Sequence, residues 1–238
     1  ENNYYSDAII EFDRVVFLSH ENTDAQFFLL KSYRLTNNFE SGINHVENFY
    51  KNDFISIPKT ITEEYLKLLT LNKDFSKATE FYTFHGNNLD TVFKTNLVSF
   101  CYIFQQQWDS AYSFSFKNKN LLIPDLYDLS VSLNNIKYKN PYLSMSMSAI
   151  IPGLGKVYSG AWKDGVFSLL FIATNSWQAY RGFSKKGINS AYGWIFSSVA
   201  FTFYAGNIYG SFQSAKKFNE NINEEILQKT LDIFNSDF

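Results

Sequence analysis

The sequence predicts an all-α protein, an array of helical repeats followed by a membrane helical hairpin. Three observations predict it. An aromatic residue followed three positions later by a small one recurs at Tyr5/Ala8, Phe39/Gly42, Phe75/Ala78 and Trp108/Ala111, with starts 34, 36 and 33 residues apart. Carboxylates then vanish, and Asp164 is the only acid from residue 129 to 219. Within that stretch lie two apolar runs, 165–180 and 188–209, entered through Pro152-Gly153-Leu154-Gly155.

A period close to 34 residues is the mark of stacked helix-turn-helix units. The small residue lets a neighbouring helix approach, and the aromatic fills the space beside it. No single unit buries its apolar face alone, so several must stack. The first unit continues with Ile9, Phe12 and Val15/Val16, the second with Ile43, Val46 and Phe49/Tyr50, all at helical spacing. Between them, residues 23–33 form a second amphipathic helix, capped by Asn22 or Thr23. At Ala8, Phe12, Ala25, Tyr33 and Phe39 the chain resembles the tetratricopeptide (TPR) family, over residues 3–118. The resemblance implies antiparallel helix pairs. The family's usual glycine before the second aromatic and its proline between repeats are largely absent. Pro58 instead sits in a longer joint before a helix at 60–71. A further helix over 123–133, opened by Pro124-Asp125, is expected to cap the array. The polar joint after it sets the expected domains: repeats at 1–140, a membrane hairpin at 141–219, and an amphipathic helix at 220–238.

The motif Pro152-Gly153-Leu154-Gly155-x-x-Tyr158 resembles a signature of small bacterial two-transmembrane-helix domains, over residues 148–218. That resemblance implies a place in a membrane rather than a reaction. Gly153 and Gly155 are expected to build a tight turn. A bilayer core takes about 20 helical residues, so the run 165–180 needs its flanks, with Trp162 and Tyr180 as interface anchors. The second run is long enough. Ser198, Thr202, Gly206, Gly210 and Ser214 form a stripe of small residues on it, suited to close helix packing, with Asn207 beside them. Asn175, Gln178 and Asn207 should face protein, because lipid offers them no hydrogen bond. A charge at mid-bilayer costs about 2.5–3.5 kcal/mol, which accounts for the carboxylate desert.

Other function classes find little support. A net charge of −2 argues against nucleic acid. His20, His45 and His85 are scattered, and Cys101 is the single cysteine, so no metal-ligand spacing exists. Gly153-x-Gly155-Lys156 lacks the spacing of a phosphate loop. No catalytic residue, cofactor or metal is expected. The expected function is a non-enzymatic, membrane-anchored adaptor that binds a partner protein through repeats and hairpin and also contacts lipid. The alternatives are an accessory subunit whose hairpin packs into another membrane protein, and an enzyme with its site between hairpin and repeats. Arg181, Lys185 and Lys186 in the expected hairpin loop place that loop in the cytoplasm by the positive-inside rule. The repeats would then be periplasmic or otherwise extracytoplasmic. Glu1 follows no initiator Met, which fits a removed signal peptide.

Overall fold

The computed structural model describes residues 2–51, 57–85, 89–236 and 238, with side chains from Tyr4 onward. Glu1 and residues 52–56 of the joint expected before Thr60 lie outside the described residues. Among those described there are twelve α-helices and no strand. The chain divides into two compact units, Glu1–Asn135 with Leu227–Phe238, and Ile136–Ile226.

The first unit holds α1 (Asn2–Leu18), α2 (Thr23–Leu35), α3 (Phe39–Phe49), α4 (Lys59–Leu71), α5 (Phe75–His85), α6 (Thr91–Phe104), α7 (Trp108–Lys117) and α8 (Pro124–Ser132). α1 packs on α2, α3 on both α2 and α4, α5 on α4, and α7 on both α6 and α8. The helix expected to cap the array is therefore the partner of α7. Asn22 caps α2 by accepting the Ala25 N–H at 3.0 Å, and Asp90 caps α6 by accepting that of Val92 at 3.1 Å.

One turn is used three times. After α2, α4 and α6 the chain passes through Asn37, Lys73 and Gln106, all left-handed, with φ of 57°, 62° and 57°. The next residue bonds back five positions: Asn38 N–H to Tyr33, Asp74 to Leu69 and Gln107 to Tyr102, each at 2.9 Å. This Schellman closure satisfies carbonyls that the helix end would otherwise orphan. Phe39, Phe75 and Trp108 then open α3, α5 and α7, so the aromatic-x-x-small register falls on their first turns. Gly42, Ala78 and Ala111 are buried there. A Cβ on Gly42 would sit 2.8 Å from Leu68 Cδ1 and 3.2 Å from Tyr33 Cβ, so α3 rides directly on its two neighbours. In α1 the register is weaker: Tyr5 is exposed and Ala8 half-buried. The core runs through Leu29, Leu30, Ile61, Leu66, Leu69, Phe100 and Leu126.

The second unit holds α9 (Pro141–Ile150), α10 (Leu154–Tyr158), α11 (Trp162–Lys186) and α12 (Ala191–Ser236) up to Ile226. Asn140 caps α9 through the Tyr142 and Leu143 N–H groups. Arg181, Lys185 and Lys186, expected in a loop, lie on the last turns of α11 instead. Nothing stops that helix before Gly187, whose φ is 59°. Basic residues there also suit the negative end of a helix dipole. α12 is 46 residues long. It contains no proline, and no glycine after Gly210, so the helix expected at 220–238 is its continuation. Its final turns, from Leu227, belong to the first unit.

Among the described residues, no helix is long and apolar enough to cross a membrane. α11 has the length, at 25 residues, but Ser, Thr, Asn, Gln, Lys and Arg dilute its apolar run.

Candidate functional site

The second unit is built around its Pro-Gly turn. Gly153 takes a φ of 87°, a left-handed conformation that side chains disfavour. A Cβ there would land on the Gly165 carbonyl, and one on Gly155 would land on that of Ser144. α9, α10 and α11 thus touch backbone to backbone. Tyr158 closes the motif by accepting the Asn140 N–H at 3.2 Å, with Lys139 Nζ 4.7 Å from its ring centre.

Below the turn lies a core of hydroxyl groups. Ser144, Ser148 and Ser211 have no exposure at all, and Ser159 has 5%. The bonds form a directed chain. Gly155 N–H donates to Ser148 Oγ at 2.9 Å, Ser148 and Ser211 hydroxyls meet at 2.6 Å, and Ser211 donates to the Asn207 carbonyl at 2.8 Å. Ser144 Oγ sits 2.9 Å from the Gly155 carbonyl and 2.8 Å from that of Ser211.

α11 and α12 meet through small and polar residues and through the aromatic pairs Phe171–Phe203 and Phe183–Trp194. A Cβ on Gly182 would lie 2.7 Å from Gly193 N, so the two helices are in backbone contact there. Gly165, Ile172, Asn175, Ala179 and Gly182 form the buried side of α11. On α12 the buried side is Gly193, Ala200, Asn207, Ser211 and Ala215. The stripe proposed for packing lies one position off this line. Ser198, Thr202 and Gly206 are exposed, Gly210 and Ser214 half-buried, and Asn207 alone of that group is buried. Nothing approaches within 4 Å of a Cβ built on Gly206, while Gly210 receives Lys156 Cε at 3.5 Å.

The unit exposes many large apolar side chains. Phe167 is 65% exposed, Leu170 61%, Trp177 60%, Ile195 61% and Phe201 71%. Trp162 and Tyr180, the expected interface anchors, are exposed as well. Fully buried serines beside exposed large aromatic and aliphatic side chains depart from the usual distribution in a protein folded in water.

Asn207 stands apart. It is 4% exposed, and neither its Oδ1 nor its Nδ2 has a hydrogen-bond partner. Such an amide ordinarily costs about 1–3 kcal/mol per unsatisfied group. It lines a cavity of about 340 Å³ together with Lys156, Ser168, Phe167, Phe171 and Phe203.

The first unit carries its own buried polar cluster. Arg34 Nε donates to Glu64 Oε1 at 2.5 Å, and Lys67 Nζ lies 3.6 Å from Glu64 Oε2, an ion pair longer than a hydrogen bond. Arg34 Nη1 donates to Asn235 Oδ1 at 3.0 Å, and Lys67 donates to the Phe238 carbonyl. Phe234, fully buried, meets Phe100 at 4.8 Å between ring centres. Burial pulls the Lys67 pKa down, opposed by Glu64. Burial also pushes the Cys101 thiol up to about 11, so Cys101 is a poor nucleophile at neutral pH. His45 is held below its ordinary value by burial, with Asp13 opposing. Among the described residues no group of three His, Cys, Asp or Glu side chains converges as a metal site.

Sequence reasoning missed the serine core, the Arg34–Glu64–Lys67 cluster and the Lys156–Asn207 cavity. The available signal was Ser recurring at 144, 148 and 159 in a stretch without acids. No protein-family model matches this chain, no curated protein matches its sequence, and no solved structure matches its fold.

Proposed function

We propose that this chain is a non-enzymatic, membrane-anchored adaptor. The hairpin unit seats in lipid, and the TPR-like repeats bind a partner protein of a membrane-associated assembly, in secretion, transport or membrane-protein biogenesis. One observation carries the reading: the exposed aromatic and aliphatic side chains of the second unit, over a buried serine cluster. Water would reward burying Phe167, Leu170, Trp177, Ile195 and Phe201, yet all of them face outward. Lipid removes that penalty and strengthens the preference for internal hydrogen bonds such as those of Ser144, Ser148 and Ser211. Mean hydropathy averages the inner and outer faces of a helix, so it understates a surface arranged in this way. The near absence of acids from 129 to 219 supports the same reading.

Partner binding draws support from the exposed aromatics of the repeats, including Phe17 at 75%, Phe84 at 75% and Phe116 at 62%. The cations Arg181, Lys185 and Lys186 support a cytoplasmic tip and extracytoplasmic repeats, with Lys156, Lys163, Lys216 and Lys217 at the other end opposing.

Alkaline carbonate extraction tests the anchor. The full chain is expected to stay in the membrane pellet, and release into the supernatant overturns the reading. Labelling of a cysteine placed at Ser184 tests the side, in a chain with Cys101→Ser. A reagent confined to the outside of intact cells should fail to modify it, and efficient modification reverses the topology.

A further inference from the structure

The cavity beside Asn207 brings together an ammonium with donors to spare and an amide with no hydrogen-bond partner. Lys156 Nζ has one hydrogen-bond partner among the described residues, the Ser168 hydroxyl oxygen at 3.0 Å, and no carboxylate pairs with it there. An ammonium carries three donors, so two remain. The Ser168 hydroxyl proton is already given to the Asp164 carbonyl at 2.7 Å. Asn207 offers an unpartnered acceptor and an unpartnered donor group from a 4%-exposed position. The remaining walls include Phe167, Phe171 and Phe203. Gly206 gives the space, since a Cβ there would meet nothing, and Gly210 lies against the Lys156 stem.

We propose that this cavity binds the head of an anionic amphiphile: a phosphate ester with a neighbouring hydroxyl, on an alkyl chain. Acid oxygens accept from Lys156 and from Asn207 Nδ2. A hydroxyl donates to Asn207 Oδ1, which an acid alone leaves unsatisfied. The first carbons of the chain lie against Phe171 and Phe203, and the rest leaves past exposed Phe167. A cationic head is disfavoured by Lys156. An anionic one meets little repulsion, because Asp164 is the only carboxylate between 129 and 219. The volume, about 340 Å³, is at the low end of ligand pockets, which span about 300–1,000 Å³. It suits a head group and the start of a chain rather than a whole lipid. The inference rests on the membrane reading only for the source of the ligand.

The test uses the full chain in a non-ionic maltoside detergent, so it does not depend on membrane insertion. Binding and thermal midpoint are measured with lysophosphatidylglycerol, lysophosphatidylcholine and glycerol phosphate. Lysophosphatidylglycerol should bind at least tenfold tighter than either other probe and raise the midpoint as it saturates. Equal binding of lysophosphatidylcholine removes the role of charge, and equal binding of glycerol phosphate makes this a site for small anions; either result overturns the proposal. Lys156→Met should weaken lysophosphatidylglycerol about tenfold and abolish its preference over lysophosphatidylcholine. Asn207→Leu should weaken it similarly while raising the midpoint of the unliganded chain, since an unpartnered amide is replaced by an apolar group of like size. Wild-type affinity in both variants, or no midpoint shift with any probe, sinks the proposal. If the chain binds as expected yet leaves membranes on carbonate extraction, the anchor fails and the site stands.

Discussion

Arg34 and Glu64 meet 2.5 Å apart in the interior of the first unit, with side chains 3% and 1% exposed. Neither charge has water to fall back on. Glu64→Ala strands a guanidinium and is expected to cost about 3–5 kcal/mol, read from the urea midpoint. Arg34→Met combined with Glu64→Leu removes both charges and should cost clearly less. A double variant as damaged as the single one would show that packing, not pairing, holds this cluster.

The repeated turn predicts a gain. Lys73 and Gln106 hold the left-handed position that glycine takes without strain. A left-handed residue costs roughly 1–2 kcal/mol, and glycine adds about 0.5–1 kcal/mol of unfolded-state entropy. Lys73→Gly and Gln106→Gly should each stabilise by about 0.5 kcal/mol in thermal melts. Asn37→Gly should give less, because asparagine tolerates that conformation.

Helix spacing makes the opposite prediction at Ala111, which is fully buried on α7. Ala111→Leu overpacks the contact and should cost about 1–3 kcal/mol. An unchanged melting temperature would mean that α7 does not press on its neighbours as described.

At Gly155 a side chain meets the Ser144 carbonyl and lies within 2.8 Å of Ser148 Oγ. Gly155→Val should therefore open the second unit to limited proteolysis in detergent while the first stays protected. Wild-type protection across residues 141–190 would remove the close approach from the account.

Acid should weaken the first unit through His45. Its pKa lies below 6.5 in the fold, chiefly from burial, and Nε2 has no partner. Between that lowered value and 6.5 the unfolded chain binds more protons than the folded one, so stability rises with pH there. Acidification reverses it. His45→Leu should reduce the loss of unfolding free energy between about pH 7 and 5.5. An identical slope in both proteins assigns the acid sensitivity elsewhere.

The helical class and most helix starts were legible because they depend on local chemistry. Phe39, Phe75 and Trp108 begin helices where spacing placed them, and Asn22 and Pro124 sit where caps and first turns want them. The length of α12 was legible in principle, through the lack of any breaker after Gly210, but a change in composition suggested a break. The charges at 181–186 read as a loop for the same reason. The candidate site was not legible. Lys156 and Asn207 are 51 positions apart, and an asparagine in an apolar run looks the same whether or not it finds a partner. The serine core hid in the same way, because a hydroxyl declares its partner only in three dimensions.

A unit with hydroxyls and glycines inside and aromatics outside has an unusual response to unfolding. Ser144, Ser148 and Ser211 gain polar contact with water when it opens, while Trp177, Ile195 and Phe201 were never hidden from the solvent. Less new apolar surface is created than in a unit whose large apolar side chains are all buried. The heat-capacity increment and the denaturant slope, which both follow exposed area, are therefore small for this unit. Its melting is expected to be broader and less responsive to urea than that of the first unit, with the surrounding medium weighing heavily in its stability.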